Sequence, residues 1–209
     1  QGTAAAAPGD TLDLRADISS TELWLNWQND WQQSENSSLQ FGGEYRHPQI
    51  TRADANSNYN LEDLINGNFP LPNYGNFGYA YQVAEEAQMD VAGVYGQWQM
   101  DWSERWSTIA GLRYDRYSQI GDNISPRLGL LFHADRHNTF KLLSGEAFRA
   151  PQADELYTIN NPLISGNPNL EPETVVTSEL IWLHQRERGL FSLTYFHNEF
   201  DNAIPQCAV

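Results

Sequence analysis

The sequence predicts an all-β chain, a segment of about eight strands from an antiparallel up-and-down barrel that spans a membrane. Three observations lead there. Apolar and polar residues alternate with a period of two rather than 3.6, the mark of a strand with one apolar and one wet face. Connections between the alternating runs switch between short and long. Aromatic residues gather beside the short connections.

The elements follow in order. Strands are expected over about 11–31, 38–47, 90–102, 106–118, 125–134, 139–148, 173–184 and 189–200. In the first, Leu23, Leu25, Trp27 and Trp31 alternate with Asn26, Gln28 and Asp30. Its apolar parity changes near Ser19 and Ser20, which predicts either a bulge there or a strand leaving the membrane. In the third, Ala92, Val94, Gly96, Trp98, Met100 and Trp102 share a face opposite Tyr95, Gln97, Gln99 and Asp101. The fourth sets Trp106, Thr108, Ala110, Leu112 and Tyr114 against Arg113 and Asp115. The fifth sets Leu128, Leu130 and Phe132 against Arg127, Gly129, Leu131 and His133. No strong helix is expected; the best candidate is a turn or so over 60–66 inside a long loop.

Composition narrows the function. The chain has 209 residues, 12 Lys+Arg against 27 Asp+Glu, and a net charge of -15. That excludes a basic nucleic-acid footprint and argues against electrostatic docking on anionic lipid. No stretch approaches the roughly 18 apolar residues of a transmembrane helix, and no signal peptide opens the sequence. One cysteine, Cys207, excludes an internal disulfide framework. A mean hydropathy of -0.58 looks soluble, yet alternation gives a membrane barrel the same average. The aromatic content, 7 Trp, 10 Tyr and 9 Phe, is high for so polar a chain and fits a lipid-facing band.

Short connections are expected near 33–37, 103–105, 135–138 and 185–188, and longer ones near 48–89, 119–124 and 149–172. Outer-membrane barrels have short periplasmic turns and long external loops. Trp31, Trp102, Trp106, Phe132, Phe140 and Trp182 flank the short turns, where an interfacial girdle would lie. With short turns inside, both termini fall on the external side. The expected chain is therefore a fragment of a larger barrel.

One region carries a signature. Phe148-Arg149-Ala150-Pro151, Glu155-Leu156-Tyr157 and Gly166-Asn167-Pro168-Asn169-Leu170-Glu171-Pro172-Glu173 resemble the motifs of TonB-dependent outer-membrane receptors. Phe41-Gly42-Gly43-Glu44-Tyr45-Arg46, Gly111-Leu112-Arg113-Tyr114-Asp115, Ser125-Pro126-Arg127-Leu128-Gly129 and Leu193-Thr194-Tyr195-Phe196 with Asn198 support the likeness, which covers about residues 20 to 205. The resemblance implies a partial receptor barrel over 1–209, with the N-terminal plug and final strands absent. It implies a bacterial outer-membrane location and TonB-energised uptake of a scarce nutrient such as an iron-siderophore, haem or cobalamin. The implied partners are outer-membrane lipid, the rest of the barrel and plug, the TonB complex acting through the plug, and the nutrient itself.

The signature residues Phe148, Arg149, Pro151, Glu155, Leu156, Tyr157, Asn169, Leu170, Pro172 and Glu173 are expected to be architectural. Pro151 has no N–H to give a ladder, Gly166 is expected to permit a backbone conformation other residues avoid, and Arg149 and Glu173 are candidates to pair across the loop. Tyr74, Phe77, Tyr79 and Tyr81, set among Asn, Gly and Pro in the long loop, are the candidate substrate contacts. Packing on neighbouring loops is the competing role for each ring. His47, His133, His137, His184 and His197 lack metal-ligand spacing, and Glu85-Glu86 reads as a solvated pair. No nucleophile motif or phosphate loop appears, so no enzyme, cofactor or metal is expected. Two rivals remain: a complete eight-stranded outer-membrane barrel with a structural or adhesive role, whose first and last strands would pair, and a soluble carbohydrate-binding β-sandwich, whose aromatic face a second sheet would cover.

Overall fold

The structure is a computed structural model that describes residues 4–5, 11–160 and 165–204; Cys207 lies outside them. Eight long strands form the wall: β1 Leu14–Ser34, β2 Ser37–Ser57, β3 Val91–Asp101, β4 Trp106–Tyr117, β5 Gly121–His133, β6 Asn138–Arg149, β7 Glu173–Arg186 and β8 Gly189–Asp201. Each pairs antiparallel with its sequence neighbour, giving one up-and-down sheet with β1 and β8 at its ends. Short strands Tyr79–Gln82 and Ala87–Gln88 add to β2 beyond β3, and Pro72–Asn73 pairs with Ala4–Ala5. Because β1 and β8 do not pair, the closed eight-stranded barrel is not formed. Among the described residues no second sheet covers the apolar face, which disposes of the sandwich.

Residues opposite one another across a ladder share a face, so register tests the two-faced reading directly. Trp27, Gly43, Val94, Tyr114 and Ile124 form one row. The next row, on the other face, is Gln28, Gly42, Tyr95, Arg113 and Ser125. The apolar face stays open to its surroundings: Leu25, Trp27, Val94, Leu112, Leu128, Leu142, Leu180 and Leu193 are all more than half exposed. A row of this length has no aqueous explanation, because exposed apolar patches of that extent mark lipid or partner surfaces.

The girdle is literal. Trp106, Phe132, Phe140 and Trp182 are successive partners across four strands on the apolar face. Trp106 stacks on Phe132 at 4.3 Å and Phe140 lies parallel to Trp182 at 6.5 Å. The Trp182 indole donates to Asn138 at 3.0 Å and the Trp102 indole to Thr108 at 3.0 Å, satisfying the polar ends of the rings.

Three expectations are corrected. First, β2 does not end at 47 but runs to Ser57, so the connection expected over 48–89 begins at residue 58. The β1–β2 hairpin thus projects about ten residues, some 33 Å along the strand, above the point where β2 leaves β3 at Arg46–Val91. Second, the loop expected over 119–124 is a tight three-residue turn, 118–120, because β5 starts at Gly121, whose φ of 110° suits a residue without a side chain. The bulge at Ser19/Ser20 is present, but the extra residue is Thr51, on the partner strand. Third, beside the capped helix α1, Leu61–Ile65, a second helix α2, Ala153–Tyr157, lies inside the signature itself.

Prolines set the ladder ends. The β5–β6 ladder stops at Arg127–Gly145, next to Pro126, and the β2–β3 ladder stops two residues short of Pro48; neither proline has an N–H to give.

Candidate functional site

The long connections 58–90 and 150–172 lie at one end of the sheet together with the tight turn 118–120, opposite the short turns at 35–36, 102–105, 134–137 and 187–188. The signature residues build the foot of this end. Arg149, the last residue of β6, donates from Nε to Glu173 Oε2 at 2.5 Å, and from Nη1 and Nη2 to Glu155 at 2.8 and 3.1 Å. The same Glu155 accepts from the Gln152 backbone N–H at 2.7 Å, closing the first turn of α2. Glu173 also accepts from the Ile204 backbone, which follows β8. One guanidinium fork therefore fastens both ends of a loop and, through Glu173, the start of the next connection. The expected Arg149–Glu173 pair is present, and Glu155 is a third member that spacing alone did not supply. Arg149 holds the Glu155 carboxyl below the usual carboxylate range, outweighing the opposing effect of burial.

Other signature residues pack around this clasp. Pro151 is buried and Leu156 is 3 % exposed. Phe148 meets Tyr117 edge-on at 5.5 Å. Gly166 has a different role from the one expected. Its φ is unremarkable, but a Cβ there would stand 2.6 Å from Thr158 N and 2.7 Å from the Leu156 carbonyl, so the close approach of two backbones requires glycine. Asn169, Leu170 and Pro172 shape the return to β7: Asn167 accepts from the Asn169 backbone at 3.0 Å, and Leu170 N–H bonds to Asn167 O at 3.3 Å.

The two long loops are joined backbone to backbone. Glu85 N–H bonds to Tyr157 O at 3.0 Å and Ile159 N–H to Val83 O at 2.9 Å, around an Ala84–Thr158 bridge. Val83 N–H in turn bonds to Ala53 O of β2 at 2.8 Å. Gln119, in the tight turn, accepts from the Tyr157 hydroxyl and donates to Gln88 O at 2.6 Å. Burial is the leading cause that pushes the Tyr157 hydroxyl up. The loops thus form one cap, attached to the projecting hairpin on the face that carries the buried Ala53 and Ala55. An apolar cavity of about 170 Å³ remains where Ile50, Met89, Leu156 and Tyr157 meet.

The candidate substrate rings divide. Tyr74 and Tyr79 lie 5.5 Å apart, and Tyr79 and Tyr81 5.7 Å apart, a tilted run of three. Tyr79 and Tyr81 also pack on the small core of Tyr59, Leu61 and Leu71, so both serve the loop's own packing. Phe77 is apart from them, exposed at a turn with φ of 55°.

Below the cap, the polar face holds a network that sequence reading passed over. Arg113 donates to Asp115 at 2.7 and 2.6 Å and also to Glu44. Asp115 is 1 % exposed. The pair fits only because Gly93 is a glycine: a Cβ there would lie 2.5 Å from Asp115 and 2.7 Å from Arg113. Likewise Tyr95 crosses Gly42, and the Arg127 stem crosses Gly111. The signal was in the sequence as glycines at register positions beside bulky polar residues, but register is needed to read it. At the other end, His137 and His184 approach to 6.3 Å between rings; among the described residues no His/Cys/Asp/Glu group of metal-binding type forms.

The molecule is thus a segment of a two-faced barrel wall, with a girdle at one end and a clasped cap at the other. The family model described as TonB dependent receptor-like, beta-barrel, matches residues 2–206. The chain belongs to the TonB-dependent receptor family. Its relatives include the iron-regulated outer membrane virulence protein of Vibrio cholerae, 34 % identical over 112 residues, which are 51 % of this chain and 17 % of that protein. Another is the probable TonB-dependent siderophore receptor PirA of Acinetobacter baumannii, 29 % identical over 146 residues, 61 % of this chain and 19 % of the relative. Among solved structures, the siderophore receptor PirA of Pseudomonas aeruginosa superposes with a TM-score of 0.57 at 22 % identity, over 90 % of this chain and 32 % of that one. The FrpB iron transporter of Neisseria meningitidis gives 0.60 at 18 % identity, over 88 % and 28 %. This chain therefore spans less than a fifth of those curated relatives. TonB-dependent receptors reside in the bacterial outer membrane, and the relatives are transport receptors rather than enzymes.

Proposed function

We propose that this chain is wall and external cap of an outer-membrane receptor for a ferric siderophore. Residues 1–209 supply part of the barrel, the apolar face meets outer-membrane lipid, and a plug elsewhere in the receptor engages TonB. The cap captures the complex through its exposed rings, with Tyr74, Phe77, Tyr79 and Tyr81 providing at least one contact; uptake follows when TonB, drawing on the inner membrane, rearranges the plug. The observation that carries the reading is the cap itself: two long loops fused at one end of a receptor-type wall, with aromatic side chains held among Asn and Gly. The names of the relatives, siderophore and iron receptors, support the cargo. Haem and cobalamin are the cargoes that would replace it.

The test is uptake of radio-iron by cells whose only siderophore receptor is the full-length protein containing this segment. Ferric siderophore import that needs TonB and falls when Tyr74, Phe77, Tyr79 and Tyr81 are all changed to Ala, at unchanged surface expression, supports the proposal. Import of haem or cobalamin but of no ferric siderophore would overturn the cargo.

A further inference from the structure

At the foot of the cap one cation stands without a partner. Arg46 lies on the polar face of β2, two residues outward of Glu44, in the row Trp24, Arg46, Val91 and Tyr117. Its Nε is buried with no hydrogen-bond partner, and among the described residues it is the one buried side-chain nitrogen or oxygen left so. Such donors are rare, because an unmade bond leaves the whole cost of desolvation standing. The other arginines of this end differ. Arg15, Arg52, Arg116 and Arg149 each lie within 3.9 Å of a carboxylate. Glu44, the neighbour that could have served Arg46, is taken by Arg113. Glu22, diagonal to Arg46 across the β1–β2 ladder, is exposed, and among the described residues no ion pair joins the two.

The row is open at one end only. Val91 and Tyr117 are 2 % and 9 % exposed, whereas Trp24 is 60 % exposed and Arg46 is half-buried. The next polar-face positions of β2, Pro48 and Ile50, line the apolar cavity beneath the cap. An open indole, an unpaired guanidinium and an apolar recess therefore adjoin at the mouth of the cap. The loops above, 58–90 and 150–172, contain no Lys, Arg or His, so Arg46 is the first uncommitted cation that a ligand passing inward meets. We propose that Arg46 and Trp24 form a binding site on the barrel wall for an oxyanion carried on an aromatic ring, as in a catecholate. The guanidinium fork donates to the two adjacent oxygens, the indole stacks on the ring, and the recess takes the ring's apolar edge. A carboxylate from the plug would satisfy the guanidinium but would use neither the indole nor the recess, which favours the ring-borne anion. This rests on the siderophore reading above and narrows its cargo to ferric catecholates.

The experiment measures equilibrium binding of two radio-iron complexes, a trianionic ferric tris-catecholate and a neutral ferric trihydroxamate, to the full-length receptor containing this segment. Detergent and salt are held constant, and thermal unfolding of each variant is recorded beside binding. Arg46→Gln should weaken the tris-catecholate about 10- to 100-fold, as expected for lost hydrogen bonds to a charged group. Arg46→Lys should fall between, because it keeps the charge and loses the fork. Trp24→Ala should weaken the same complex about three- to tenfold, and Trp24→Phe should stay near the parent. Unfolding should not change. Tris-catecholate affinity equal to the parent's in Arg46→Gln or in Trp24→Ala overturns the inference and leaves the siderophore reading intact, as does a receptor that takes the trihydroxamate and no tris-catecholate. A lowered unfolding temperature in Arg46→Gln, with equal losses for both complexes, overturns it too and gives Arg46 to a carboxylate of the plug. A receptor that binds no ferric siderophore removes that reading, and the inference with it.

Discussion

Replacing Arg149 with Ala would release the loop between β6 and β7. The side chain makes three hydrogen bonds to two carboxylates, and Glu155 and Glu173 are 15 % and 25 % exposed while Arg149 is 38 % exposed. Charge-assisted bonds contribute about 1.5–3 kcal/mol each where buried, and solvent screening reduces that at a partly open site. Truncation also leaves two carboxylates facing each other. A net cost of about 2 kcal/mol to the closed loop is reasonable, equal to roughly a 30-fold rise in local opening. Hydrogen exchange reads this directly, because the Leu156 and Asn167 amides are bonded to Gln152 O and Glu155 O inside the loop. In the full-length receptor both should exchange about 30-fold faster in Arg149→Ala, with amides in the middle of β6 and β7 unchanged. Glu155→Gln, which keeps one neutral bond, should fall between. The pH dependence has a definite sign. Glu155 is depressed below its ordinary value, so its contribution is complete above that value, about 4.3, and is lost as pH falls through the folded one. Exchange of Leu156 should therefore keep to its ordinary base-catalysed slope from neutral pH down to about 5 and accelerate relative to that slope only in stronger acid. If Arg149→Ala changes Leu156 and Asn167 exchange by less than twofold, the clasp is decorative and the reasoning fails.

Three further outcomes follow from the faces and the cap. Leu128→Arg, on the apolar face, should cost about 2–4 kcal/mol in a denaturant titration of the receptor in lipid vesicles, while Gln97→Arg on the polar face should stay within about 1 kcal/mol; equal costs would contradict the face assignment. Gly166→Ala, pressed against Thr158 and Leu156, should loosen the loop by about 1–3 kcal/mol, seen as faster limited proteolysis between β6 and β7, and an unchanged cleavage rate would speak against the close approach. Tyr81→Ala should lower the protection of the 58–90 loop because the ring packs on its core, whereas Phe77→Ala should leave protection unchanged and affect only cargo binding; loss of protection in both would show that Phe77 is a packing residue as well.

Much of the wall was legible before the structure because a strand's period is two and lipid enforces it. Val94 and Trp98 fall on one face and Tyr95 and Gln97 on the other for the same reason that a misplaced charge in hydrocarbon is costly. The girdle was legible for a related reason: Trp106, Phe132, Phe140 and Trp182 sit at fixed distances from their turns. The helix α2 was not legible, because Gln152 is not one of the side chains that mark a helix start and five residues carry too little periodicity to show. The extension of β2 to Ser57 was not legible, because its outer half leaves lipid and its alternation becomes small and polar: Ala53, Ala55 and Ser57 are buried under loops rather than facing lipid.

The sequence by itself determined the two faces, the antiparallel order and the family signature, since each is a local pattern. Only the tertiary structure decided that Arg149, Glu155 and Glu173 close into one clasp, that Gly93 and Gly166 make room for neighbours, and that the loops around Val83 and Ile159 become one cap. Those contacts join residues far apart in the chain, and their geometry depends on ladder register and on the paths of two irregular loops, which no local period encodes.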